Sequence, residues 1–348
     1  MPESVSIKHE DGRRFGEWSD IELQLGLDTY RAVSLTGPFD PDRKEMREAF
    51  EPLSFPQITV EIGGELILTG RVKDVSPSVD ATQASVCVTA YSVAHELTEI
   101  CAPPELLPLE FNGLDLKQIA QRLAGAALGL VVNLDGSPGA RFPRVRCHPD
   151  DDLQGFLAEL ALQRGFVMAD TPSGDLLFRS EGPTGSPVAR LQGQPLGKVS
   201  AQFNPSQWYS HITGRACKRS GQQHGSKYTQ RNKLYRSIFP RHNCKIVGDT
   251  GSADVPRATQ ALVGRMVASV ATYTVEDLPT WRDPSGKLWT PNTTLTINAP
   301  GAMIYKETEL LIRHVRLYQR GDEERATLEL VLPGSFGGAF PTRLPWDS

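Results

Sequence analysis

The stretch Gln57 to Val72 reads QITVEIGGELILTGRV, and it restricts the fold of this chain more than any other. Ile58, Val60 and Ile62 alternate with polar neighbours, which is the period of a strand with one buried face. Gly63-Gly64 follows, offering two residues free to take positive φ, as a two-residue hairpin turn needs. SVCVTAY alternates again, with Val86, Val88 and Ala90 on one face and Ser85, Cys87 and Thr89 on the other. Trp18 to Leu25 and Ala32 to Leu35 are two further strand candidates. Short antiparallel strands with one apolar face must curl or pack on a partner to bury it, so a small barrel or sandwich is expected here.

After the proline-rich linker CAPPELLP (Cys101 to Pro108) the period changes. Leu116, Ile119, Ala120, Leu123 and Ala127 fall at helical spacing, with Gly129 placed for a helix C-terminus. In DDDLQGFLAELALQRG, Leu153, Phe156, Leu157, Leu160 and Ala161 form a second helical stripe; Asp150 to Asp152 cap its start and Gly165 closes it. Two short strands, FVMAD and DLLFR, follow across the turn Thr171 to Gly174. From about Pro195 the pattern returns to β, with a strand expected over Trp208 to Ala216 and a polar, turn-rich stretch over Lys218 to Lys245. A helix from Pro256 to Ala271 places Ala258, Leu262, Met266 and Ser269 on one face; LWTPNTTLTINAP, ELLIRHVRLY and ATLELVLP complete the region. The fold class expected is α+β, β-rich and multidomain: two barrel-like antiparallel β domains (residues 1–100 and 195–348) flanking a small α/β domain (residues 101–194).

Composition agrees with several packed cores. At 348 residues the chain has room for two or three domains, and 39% hydrophobic with 22% charged residues excludes a disordered regulator. No apolar run reaches the roughly 18 residues of a membrane span, and MPESVSIKHEDGRR lacks the apolar core of a secretory signal. The net charge of −4 gives no global reason for nucleic-acid or membrane affinity.

Motifs of chemistry are missing. Cys87, Cys101, Cys147, Cys217 and Cys244 are scattered without CxxC, which fits reduced thiols. No histidine pair stands at metal-ligand spacing, and GxSxG, SxxK and Walker A sequences are absent. No metal site, no cofactor and no catalytic residue is expected. One stretch stands out: between Pro205 and Val247 there is no Asp or Glu, while Arg215, Lys218, Arg219, Lys227, Arg231, Lys233, Arg236, Arg241 and Lys245 are basic, with Trp208, Tyr209, Tyr228, Tyr235 and Phe239 interleaved. A solvated loop, a protein–protein interface and a nucleic-acid contact are all consistent with it.

Four stretches, in order and spanning nearly the whole chain, carry a family resemblance: ITVEIGGELILTGRVKDVSPSVDATQASVCVTAYSVAHELTEICA, FPRVRCHPDDDLQGFLAELALQRGFVMADTPSGDLLFRSEG, WRDPSGKLWTPNTTLTINAP and ELLIRHVRLYQRGDEERATLELVLPGSF. Together they resemble the baseplate hub proteins of Mu-like tailed phages, a fold shared with T-even phage hubs and with the N-terminal region of type VI secretion spikes. Phe39–Phe55 and Lys218–Lys245 match that pattern poorly, and no functional residue is carried over to them. The resemblance implies a structural protein, not an enzyme: a homotrimeric virion component in which two barrel-like domains per chain adapt a hexameric tail tube to a trimeric central spike. It also implies a strand near 208–216 completing the first barrel, and a channel passing tape-measure protein and DNA. Other baseplate proteins would be neighbours, the tail would be of the contractile kind, and assembly would take place in the bacterial cytoplasm without membrane insertion. Under this pattern the nine basic residues are candidate interface or lumen contacts. The alternatives are a tail-associated cell-wall hydrolase, for which no extra segment remains, and the hub-like part of a type VI secretion spike.

Overall fold

The protein, seen in a computed structural model, is described over residues 3–81, 83–181, 186–191, 197–216, 226–248, 255–337 and 341–347. The first region contributes β1 (Val5–His9), β2 (Arg14–Phe15), β3 (Asp20–Gly26), β4 (Ala32–Pro38), a short helix α1 (Lys44–Ala49), β5 (Gln57–Ile62), β6 (Glu65–Val79) and β7 (Ala84–Ser92). β5 and β6 form the expected hairpin, with Ile62 opposite Glu65 across Gly63 and Gly64 at φ 58° and 84°. Ile58, Val60, Ile62, Val86, Val88 and Ala90 are buried, as the alternation requires. A bulge between Val72 and Asp74 bends β6. Its first half pairs with β5 and its second with β7.

The middle region holds β8 (Glu110–Phe111), α2 (Leu116–Leu128), β9 (Val132–Leu134), β10 (Val145–Arg146), α3 (Leu153–Gln163), β11 (Val167–Asp170) and β12 (Leu176–Arg179). α3 begins at the expected aspartate cap, and α2 begins at a capping box not foreseen from the sequence. The Gln118 N–H donates to Asp115 (2.9 Å) while the Gln118 side chain accepts from the Asp115 N–H (3.1 Å), and the Gly155 N–H donates to Asp152 (2.6 Å). Gly129 ends α2 at φ 70°. Leu116, Ile119, Leu123, Leu153, Leu157 and Phe178 form a core separate from that of the large sheet. On α2, Ala124 takes the buried place and Ala127 lies at its margin.

The third region supplies β13 (Ala189–Leu191), β14 (Lys198–Phe203), β15 (His211–Ala216), β16 (Lys227–Arg231), β17 (His242–Gly248), α4 (Val255–Val270), β18 (Ala271–Leu278), β19 (Thr294–Ala299), β20 (Ile304–Arg320) and β21 (Glu323–Val331). Residues 192–196, where a domain boundary is expected, lie outside the described residues. One sheet of 13 strands joins the first and third regions, in the order β14-β18-β21-β20-β3-β4-β7-β6-β5-β1-β2, with β13 and β19 branching from β20. The junction is antiparallel, from His314 opposite Gly26 to Arg320 opposite Asp20. Leu23, Val33, Val60, Val88, Trp281, Leu317 and Leu328 share one core across it. The Trp281 indole N–H donates to the carbonyls of Tyr318 (3.2 Å) and Arg325 (3.0 Å).

Three expectations are thereby modified. Large antiparallel sheets are present, but no closed barrel is formed among the described residues. The edge of β3, which a barrel would close on its own region, pairs instead with β20, and this removes the exposed edge just as effectively. The strand near 208–216 does not complete the first region: β15 pairs with β16 and β17 in a three-stranded sheet of its own. Finally, α4 buries Ala258, Val263, Met266, Val267 and Val270 while Ser269 is exposed, because the helix is packed on more than one side and a single stripe does not describe it.

Candidate assembly surface

The small sheet β16-β15-β17 carries the basic stretch. β15 runs antiparallel to β16 and parallel to β17, so cross-strand rows follow from the register. His211 lies between Arg231 and His242, Thr213 between Thr229 and Cys244, and Arg215 between Lys227 and Ile246. These alternate positions share one face. The opposite face packs on α4, and the fit is close at Gly214, where an added Cβ would stand 2.0 Å from the Thr259 Oγ1. The outer face is therefore left to solvent. Arg215, Lys227, Arg231 and His242 are exposed, and Ile246 is 70% exposed. The His211 and His242 rings stack with centroids 4.7 Å apart and planes 6° from parallel. Thr213 and Thr229 share a hydroxyl hydrogen bond of 2.8 Å, and Cys244 is a free exposed thiol.

Not all the basic residues gather there. Arg236 pairs with Asp347 (2.9 Å). Arg241 donates to the Pro205 and Ser206 carbonyls (2.6 Å each) and covers the Tyr209 ring. These two hold the loop against the body. Lys233 is exposed in the turn after β16, Lys245 falls in the register row of Gly214, and Lys218 and Arg219 lie outside the described residues. The strand expected over Trp208 to Ala216 is found from His211 to Ala216 only, and β16 and β17 were not legible, since Lys227 to Arg231 and His242 to Gly248 carry no apolar alternation. The usable signal was the β-branched and aromatic content of Tyr228-Thr229 and Ile246-Val247.

A second polar constellation lies at the junction of β3 and β20. His314 presents Nε2 to Asp28 (3.1 Å) and Nδ1 to Glu329 (3.4 Å), and Arg313 bonds both carboxylates (2.9 and 3.2 Å). The two carboxylates push the imidazole up to about 9 against its burial, and Arg313 with His314 holds Asp28 and Glu329 below the usual carboxylate range. Both ring nitrogens are committed, so this is an ion-pair network. It borders a cleft of about 840 Å³ beneath the middle region, which also meets Tyr30, His95, Gln154 and Arg265. Among the described residues no cluster of His, Cys, Asp and Glu is arranged to hold a metal ion, and no helix is long and apolar enough to cross a membrane.

No protein-family model matches the chain. In sequence it is 22% identical over 333 residues to the baseplate hub protein gp44 of Escherichia phage Mu, covering 91% of this chain and 84% of that protein. In fold it is similar to the 43 kDa tail protein of prophage MuSo2 from Shewanella oneidensis (TM-score 0.78, 22% identity, 96% of this chain and 99% of that one). The tail protein from Neisseria meningitidis is similar too (TM-score 0.81, 16% identity, 97% and 99%). A looser likeness joins it to a component of the Escherichia coli type VI secretion system, itself similar to T4 bacteriophage tail proteins (TM-score 0.56, 13% identity, 94% and 76%). The chain has the fold of Mu-like prophage tail proteins, and the resemblance carried by the four sequence stretches holds.

Proposed function

We infer that the chain is a structural hub of a phage tail baseplate. One observation carries this: the shared fold runs from end to end, over 96–97% of this chain and 99% of two tail proteins, one of them from a prophage. The continuous sheet and common core through the first and third regions support this reading, since a ring under mechanical load needs its parts packed together. In this reading three copies close into a ring, and their first and third regions present six β-rich units to a hexameric tube while the opposite face seats a trimeric spike. Tape-measure protein and DNA pass through the ring, other baseplate proteins surround it, and assembly precedes release from the host cytoplasm. The work is mechanical, and no residue is assigned a catalytic role.

Light scattering of the purified chain, alone and with the spike protein from the same gene cluster, tests the ring. Three times the chain mass is expected, and a monomer at micromolar concentration in both samples would overturn it. The likeness to the type VI component makes the hub-like part of a secretion spike the second reading. Neighbouring tape-measure and tail genes would decide for the phage tail.

A further inference from the structure

We propose that the open face of the β15–β17 sheet docks an acidic surface of another protein. Arg215, Lys227 and Arg231 meet its carboxylates, and Ile246 with the Ile238-Phe239 loop supplies apolar anchors. The proposal rests on the reading of the chain as part of an assembly and names the chemistry of one contact within it.

Three observations lead there. The first is unbalanced charge. Several arginines and lysines elsewhere are paired, among them Arg31 with Asp170, Lys73 with Glu96 and Glu99, Arg313 with Asp28 and Glu329, and Arg316 with Glu22. Arg215, Lys227 and Arg231 have no ion pair among the described residues, and the sequence supplies no acid between Pro205 and Val247. Like charges held on one rigid face repel one another, and a surface of opposite sign relieves this.

The second is the shape of the seat. The charged row of Arg215 and Lys227 and the row of Arg231, His211 and His242 are separated by Thr213, Thr229 and Cys244. These are small and uncharged, so the strip between the charged rows is low and free of acidic groups. α4 backs the sheet and fixes it.

The third observation selects the class of partner. Ile246 lies on the face itself at 70% exposure, and Ile238 and Phe239, at 87% and 73%, occupy the loop joining the Arg231 end of β16 to the His242 end of β17. A phosphate backbone rewards the cations and leaves large apolar side chains without partners, since nucleic-acid interfaces are polar and strongly charged. Protein interfaces combine apolar anchors with a charged rim, which is the combination present here.

The test uses the full chain and a fluorescent copolymer of glutamate and tyrosine as the acidic polypeptide probe, with a 20-base-pair DNA duplex alongside. Binding to the copolymer, weakened by added salt, is expected to fall about tenfold in R215Q/K227Q/R231Q. It should fall in F239S/I246S as well, while that variant leaves any duplex binding unchanged. Matching melting temperatures show that the variants are folded, and R231Q alone serves if the triple variant is not. Copolymer binding equal to that of the unsubstituted chain in both multiple variants would overturn the proposal. So would tighter binding of the duplex through the same three cations, indifferent to F239S/I246S. A monomeric chain that still binds the copolymer removes the ring and leaves this surface standing; a trimer indifferent to both sets of substitutions removes the surface alone.

Discussion

Arg31 and Asp170 meet at 3.0 Å between the first and middle regions, and Asp170 is 2% exposed. The Arg31 backbone N–H also donates to the same carboxylate (3.2 Å), and its guanidinium reaches the Asp170 carbonyl (2.8 Å). Burial raises the Asp170 carboxyl above its ordinary range in spite of Arg31, and it lowers Arg31. Desolvation thus outweighs attraction on both partners, and the pair specifies how the regions dock more than it stabilises them. Removing one partner strands the other as a buried charge. R31M is expected to lose about 3–5 kcal/mol in urea unfolding, and R31M/D170N to recover much of that loss. None of this was readable in the sequence, because the partners are 139 residues apart and each sits in an ordinary polar context. The same holds for Glu181, which accepts from the backbone N–H groups of Gly334, Phe336 and Gly337 and so ties the end of β21 to the end of β12.

Strands and helices whose signal is local were readable, and those formed from distant partners were not. The Gly63-Gly64 hairpin, the alternation of β7, the apolar stripe and closing glycine of α2 and the aspartate cap of α3 each follow from a few adjacent residues. The partner of β3 lies nearly three hundred residues away, and β16 and β17 are held by one face on α4 without becoming apolar. The seam between β3 and β20 also carries a pH dependence. His314, facing Asp28, Arg313, Glu329 and the more distant Arg265, has its folded-state value raised to about 9. A raised value means that its contribution is complete below the unfolded value of about 6.5 and is lost as pH climbs through about 9. Asp28 and Glu329 are lowered, so theirs is present at neutral pH and lost on acidification. Between pH 6 and pH 10 the unsubstituted chain should lose about 3 kcal/mol that H314Q does not lose, as measured by denaturant midpoints at each pH.

On the scale of the whole molecule, one core unites residues from Val5 to Leu344, and the middle region keeps its own. Glu3 and Arg282 add a salt bridge between the first residues and the third region. Residues 1–100 expressed alone are therefore expected to be insoluble or unfolded by circular dichroism, since β3 would present a bare edge and its core would lack Trp281, Leu317 and Leu328. A soluble, cooperatively melting fragment would contradict this. The junction of β3 with β20 also has a consequence during synthesis. β3 leaves the ribosome about 290 residues ahead of the strand it must pair with, a wait of roughly 15–60 s at bacterial elongation rates. For that interval the nascent chain carries an unsatisfied strand edge among its sister polysomal chains, and a lower soluble yield is expected where holding chaperones are depleted.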